Sequence, residues 1–97
     1  MGKVKRVAVL ILTWNSEQRI AHTLEKLFSV EDSTIFDCYI VDNGSRDNTI
    51  QVINSLTHNI EILELPINTG FAGGNNLGWE RIKGMNYEFI YFMSSMI

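Results

Sequence analysis

The sequence predicts an α/β fold, a small parallel sheet with helices packed on both faces. Three observations predict it. Short apolar runs alternate with stretches whose apolar residues recur at helical spacing, in the order β-α-β-α-β-α-β. The first run, Val7 to Leu12, is apolar at every position, as expected of a strand buried on both faces. The second run, Phe36 to Val41, breaks at Val41-Asp42-Asn43-Gly44-Ser45-Arg46-Asp47-Asn48-Thr49 into a polar turn that leads into a helical pattern. Such units build parallel sheets with right-handed crossovers, and their ligands bind just beyond the carboxyl ends of the strands.

The elements follow in order. The first strand runs from Arg6 to Leu12 and ends at Thr13-Trp14-Asn15. Asn15 or Ser16 can cap the next helix, and Gln18 stands three residues after Asn15, close to a capping-box pattern. Ile20, Leu24, Leu27 and Phe28 line one face of that helix, with Ala21 beside them; His22 reads as a solvated helix residue. Ser29 to Thr34 is a polar connection to the second strand. The second helix covers roughly Asp47 to Leu56, and Thr57, His58 and Asn59 close it. Ile60 to Leu65 mixes apolar residues with Glu61 and Glu64, so the third strand has a partly solvated face near a sheet edge, and Pro66 ends it. Asn68-Thr69-Gly70-Phe71-Ala72-Gly73-Gly74-Asn75-Asn76 then leads into a helix carrying Leu77, Arg81 and Ile82, stopped by Gly84. Phe89 to Met93 is the fourth, strongly apolar strand.

Composition narrows the function. The 97 residues make one domain, 1–97, of ordinary globular composition with 45% hydrophobic and 20% charged residues. A net charge of -3 argues against general nucleic-acid binding through phosphate neutralisation. Cys38 is the single cysteine; it cannot form an internal disulfide, and its apolar neighbours predict a buried thiol. Val7 to Leu12 is too short for a signal peptide, and no run approaches the ~20 apolar residues of a membrane span. The expectation is a soluble cytoplasmic protein, with membrane attachment left to an intact homologue.

Two stretches carry candidate chemistry, each with two readings. Asp42 stands at a strand end, where a carboxylate can accept hydrogen bonds from a ligand, and Gly44 permits backbone that other residues resist. The same residues serve a plain βα turn. The cluster of Gly70, Gly73 and Gly74 lets backbone approach a ligand closely ahead of a helix start. It serves equally to pack a helix tightly on the sheet. The cluster is neither the dinucleotide fingerprint nor a P-loop, and a flavodoxin-like receiver lacks the acidic cluster it needs after the first strand.

Three motifs resemble the amino-terminal half of a family 2 glycosyltransferase. Leu12-Thr13-Trp14-Asn15 is similar to the family's "(V/T)-(Y/W)-N" strand end. Val41 to Thr49 is similar to its "V-D-(N/D)-G-S-x-D-x-T". Asn68 to Asn76 is similar to its "N-x-G-F-x-x-(G/A)-N-N", most like the rhamnosyltransferase-type branch. They occur in order over nearly the whole chain. The resemblance implies a three-layer GT-A fold with about four strands ordered 3-2-1-4, and a nucleotide-diphospho-sugar donor, UDP- or dTDP-linked. It implies that Thr13, Trp14 and Asn15 border the nucleoside and that Asp42 accepts the ring N–H. It further implies that Gly44 and Ser45 shape the pocket, and that Asn68, Gly70, Gly74 and Asn75 lie near the diphosphate-sugar.

The resemblance also implies Mg²⁺ or Mn²⁺ in the intact family, held by an acidic motif after the fourth strand. Here that stretch reads Met93-Ser94-Ser95-Met96, with Met96 where the aspartate is expected, and a thioether does not replace a carboxylate on a hard cation. The chain is therefore expected to bind no metal and to lack the catalytic base and the acceptor half, as a truncated, incomplete transferase that binds nucleotide. The competing expectation is a non-enzymatic, self-associating module with the same fold, pairing through the Phe89–Met93 edge.

Overall fold

The computed structural model describes residues 7–29 and 35–95. Seven elements alternate: β1 (Val7–Thr13), α1 (Ile20–Phe28), β2 (Phe36–Asp42), α2 (Thr49–Asn54), β3 (Ile60–Glu64), α3 (Gly70–Ile82) and β4 (Phe89–Ser94). The four strands form one sheet in the order β3-β2-β1-β4, and every neighbouring pair is parallel. The predicted architecture and strand order are those observed. Arg6, most of the Ser29–Thr34 connection and Met96 lie outside the described residues.

Strand alternation divides the core into two layers. Val9, Ile11, Phe36, Cys38 and Ile40 face α1 and α2, packing with Ile20, Leu24 and Ile53. Ala8, Leu10, Leu12, Tyr39 and Val41 face α3, packing with Ile82. β1 is central, which explains its unbroken apolar sequence. β3 and β4 are the edges; on β3 Glu61 and Glu64 are exposed, as its mixed pattern predicts. Cys38 is buried and free, and burial pushes its thiol up to about 12. His22 is exposed, whereas His58 stacks on Phe28 and pairs with Glu25.

Three local expectations are corrected. First, no side chain caps α1. It starts at Ile20, and the Ser16 carbonyl, not a side chain of Asn15 or Ser16, accepts the Arg19 and Ile20 N–H groups. Second, α3 starts at Gly70, so the glycine cluster lies inside the helix rather than ahead of it. Its sheet-facing stripe is Gly74, Gly78 and Ile82. A Cβ on Gly74 would stand 2.4 Å from Leu12 Cδ1, and one on Gly78 2.5 Å from Leu10 Cδ2. Packing on the sheet therefore outweighs the low helix propensity of glycine. Third, α3 ends at Ile82 with Lys83 as its C-cap, just before Gly84 as expected, but not through a left-handed glycine; Asn86, at φ 62, takes that conformation further on.

Candidate functional site

The register brings the candidate residues to one edge of the sheet. Thr13 pairs with Asp42, and Leu12 with Ser94, at the carboxyl ends of three adjacent strands. Asp42 is 2% exposed. Its Oδ1 accepts the Thr13 hydroxyl at 2.7 Å and the Ser45 hydroxyl at 2.6 Å, while Oδ2 accepts the Ser45 N–H at 2.9 Å. A carboxylate offers about four acceptor positions, so these bonds leave Oδ2 room for one more donor. Ser45 Oγ in turn accepts the Asn15 N–H at 2.8 Å, and Asn15 Oδ1 accepts the Arg46 N–H at 2.8 Å. Asn15 is left-handed at φ 47, a conformation asparagine tolerates better than most residues. Trp14 stands between them, half-buried, with its N–H 3.3 Å from Ser16 Oγ.

The same loops are tied a second time further out. The Ser16 N–H donates to Thr49 Oγ1 at 2.7 Å, and that hydroxyl donates to Asp47 Oδ1. Desolvation raises the Asp47 carboxyl, but hydrogen bonds from the Thr49 hydroxyl and from the Thr49 and Glu17 N–H groups outweigh it, so its pKa lies below the ordinary value.

Asn43 points to the opposite face from Asp42, as its next-residue position dictates. It is fully buried. Its Oδ1 accepts the Thr69 N–H at 2.7 Å and the Thr69 hydroxyl at 2.9 Å, and its Nδ2 donates to the Gly70 carbonyl at 2.9 Å. Asn43 thus fixes the start of α3. Gly44, at φ 77, lets the neighbouring loop come close; a Cβ there would stand 2.7 Å from the Ile67 carbonyl carbon. Asn68 Oδ1 accepts the Gly70 N–H at 2.7 Å.

The ten predicted residues therefore fall into two groups along one edge. Thr13, Asn15, Asp42 and Ser45 form a single hydrogen-bonded chain, with Trp14 beside it. Asn68, Gly70, Gly74 and Asn75 belong to the α3 side of the sheet, and Gly44 joins the two. Gly74 packs against Leu12 and Asn43, the tight-packing alternative of its two readings. Asn75 Oδ1 is buried with no hydrogen-bond partner. Sequence reasoning missed Asn43, Ser16 and Arg19 as site-forming residues. The alternation rule applied one step past Asp42 is the signal that would have found Asn43.

The end of β4 is tied to β1. The Ser95 N–H donates to the Leu12 carbonyl at 2.9 Å. The Ser95 carbonyl accepts Arg19 Nη2 at 2.8 Å and lies 3.0 Å from Ser16 Oγ. A divalent cation coordinated there would stand against a guanidinium. Among the described residues no group of three His, Cys, Asp or Glu is arranged to hold a metal ion. The residues described at this strand end do not fit Mg²⁺ or Mn²⁺, which prefer several hard oxygen ligands including carboxylate.

Comparison with known proteins gives a consistent answer. The family description "Glycosyl transferase family 2" matches residues 8–95. The poly(ribitol-phosphate) beta-N-acetylglucosaminyltransferase TarS of Staphylococcus aureus is 29% identical over 94 residues, covering 93% of this chain and 16% of TarS. The uncharacterized glycosyltransferase YfnE of Bacillus subtilis is 28% identical over 81 residues, covering 81% of this chain and 21% of YfnE. The chain thus spans about a fifth or less of the length of these relatives. Among solved structures, residues 1–349 of S. aureus TarS superpose with a TM-score of 0.78 at 29% identity, over 93% of this chain and 27% of that one. The mannosyltransferase PcManGT of Pyrobaculum calidifontis, solved with GDP-Man and Mn²⁺, superposes with a TM-score of 0.72 at 21% identity, over 81% of this chain and 25% of that one. The sheet order and flanking helices are those of the GT-A fold. This chain belongs to glycosyl transferase family 2.

Proposed function

We propose that residues 1–97 fold as a single unit that forms the donor-nucleotide half of a glycosyltransferase site, taking the nucleoside diphosphate of a UDP- or dTDP-sugar at the carboxyl edge of the sheet. One observation carries the reading. The Asp42 carboxylate is held rigidly by Thr13 and Ser45 where β1 and β2 end side by side, with acceptor capacity left on Oδ2. A pyrimidine ring offers one N–H donor, and a charged acceptor already oriented by neighbours binds it with little ordering cost. Trp14 and Asn15 border the base, and Gly44 and Ser45 set the shape of the pocket. Asn68, Gly70 and Asn75, on the α3 side, line the path of the diphosphate-sugar; Gly74 sets how closely α3 approaches it. Sugar transfer additionally needs a base that deprotonates the acceptor hydroxyl. The described residues are proposed here for donor binding alone.

Calorimetric titration of UDP, dTDP and GDP tests this; GDP is included because PcManGT binds GDP-Man. Binding of one of them is expected, and Asp42→Asn is expected to weaken it by about tenfold, since the amide keeps the shape but loses the charge. Retained circular dichroism separates lost binding from lost fold. If no nucleotide binds to the folded wild-type chain, the donor-site reading fails.

A second reading has its own observation. The β4 strand carries no charged side chain, and Phe89, Tyr91 and Phe92 on it are exposed. This favours a non-enzymatic, self-associating module that pairs through this edge.

A further inference from the structure

We infer that the Arg19 guanidinium supplies the positive charge that faces the donor's diphosphate at the end of β4, in place of a divalent cation; this rests on the donor-site reading above. Arg19 stands just ahead of α1, and its Nη2 donates to the Ser95 carbonyl at 2.8 Å. That bond spans from the β1–α1 loop to the residue that follows β4. It fixes the head of a long, exposed side chain at the carboxyl edge of the sheet, beside the chain of bonds around Asp42. One of the five guanidinium donors is used, and the planar fork of the rest suits phosphate oxygens.

The charges around this position divide by side. At the end of β4 the sequence Ser94-Ser95-Met96-Ile97 carries no acidic residue. No acidic residue lies in the first turn of α1, and no side chain caps it, so the partial positive charge of that helix end adds to Arg19. The nearby carboxylates are committed on the β2 side. Asp47 accepts from Thr49 and from the Glu17 N–H, and Glu17 Oε1 lies 3.5 Å from the Asn48 N–H. Arg46, exposed on the β2 loop, is held through its own backbone by Asn15. A diphosphate entering between β1 and β4 therefore meets a fixed guanidinium and a helix amino end, and a metal ion at the Ser95 carbonyl would be repelled by that same guanidinium.

The test is calorimetric titration of UDP, dTDP and GDP, each beside its own nucleoside, at low salt with and without Mn²⁺. It uses the wild-type chain, Arg19→Gln and Arg19→Lys. Gln can keep a hydrogen bond to the Ser95 carbonyl while losing the charge. Arg19→Gln is expected to weaken the diphosphate about tenfold and leave the nucleoside unchanged, and Arg19→Lys to stay within about threefold of wild type. Added salt should narrow the gap between diphosphate and nucleoside. Equal diphosphate affinity in wild type and Arg19→Gln overturns the assignment to Arg19. A gain of tenfold or more from Mn²⁺ in the wild type overturns the replacement of the metal. If neither nucleoside nor diphosphate binds, the donor-site reading itself falls, and this inference with it.

Discussion

At the residue scale, two glycines with nearly the same backbone separate conformational strain from steric contact. Gly44 has φ 77 and Gly70 has φ 81, both in the region that costs a residue with a Cβ about 1–2 kcal/mol. Around Gly70 nothing lies within 4 Å of an added Cβ, so Gly70→Ala is expected to cost only that conformational penalty. Around Gly44 the added Cβ meets backbone of Ile67 and Asn68 at 2.7 to 2.9 Å. Backbone cannot rotate away as a side chain can, so Gly44→Ala is expected to cost roughly 2 kcal/mol more than Gly70→Ala. Urea unfolding of the two variants measures the difference directly. Equal losses would show that the 66–68 loop shifts freely, and the proposed pocket would then lose one of its fixed walls. Asp42 makes the complementary point: a buried carboxylate with three donors is tied into the frame of the site, whatever further donor it accepts.

At the element scale, helix α3 is built against propensity. Alanine at position 74 gains up to about 1 kcal/mol of helix propensity over glycine. The new methyl, however, falls 2.4 Å from Cδ1 of Leu12, which is itself fully buried between β2 and β4. Forcing a well-packed leucine aside costs about 1–3 kcal/mol, so Gly74→Ala is expected to destabilise by about 1 kcal/mol net. In a Leu12→Val background the clashing carbon is gone, and the same substitution is expected to cost less or to stabilise. A double-mutant cycle in urea reads that coupling; additive losses would mean that α3 does not rest on Leu12 as described. This helix also shows how far sequence reading reached. The apolar run of Val7 to Leu12 and the mixed pattern of Ile60 to Leu65 were enough to place a central and an edge strand, because burial on two faces or one leaves a direct mark. The start of α3 was not legible. Gly70, Gly73 and Gly74 read as loop by propensity, and only the close approach of Gly74 to Leu12 and of Gly78 to Leu10 explains why a glycine-rich segment packs here as a helix. The contacts of Arg19 and Ser16 with Ser95 were hidden for another reason: they join positions 76 and 79 apart in sequence. No local pattern records such a pairing.

At the scale of the whole molecule, the two edges of the sheet are managed differently. On β3, Glu61 and Glu64 break the apolar surface, and Glu61 pairs with Arg81 of α3. Charges on an edge discourage pairing with another chain. On β4 the strand Phe89-Ile90-Tyr91-Phe92-Met93-Ser94 has no charge, and Phe89, Tyr91 and Phe92 are 59%, 68% and 49% exposed. Among the described residues its neighbouring strand is β1, and its other side is an edge of the sheet that a further strand could approach. A second copy of this chain suits that edge. Two neutral β4 strands related by a two-fold axis meet no like charges, and antiparallel pairing would join the two sheets into one while shielding aromatics on both faces. The expectation is a concentration-dependent dimer in sedimentation equilibrium. Tyr91→Lys changes the most exposed of the three aromatics, so it should leave the fold intact while placing a charge on the pairing edge and shifting the population to monomer. A wild-type chain that sediments as a monomer up to its solubility limit would rule out pairing through β4 and leave the donor-binding reading without its competitor. A dimer that also binds nucleotide, and keeps doing so in Tyr91→Lys, would show that edge and site act independently. That is the outcome expected from their geometry, since the edge runs along the side of the sheet and the site lies across the carboxyl ends of its strands.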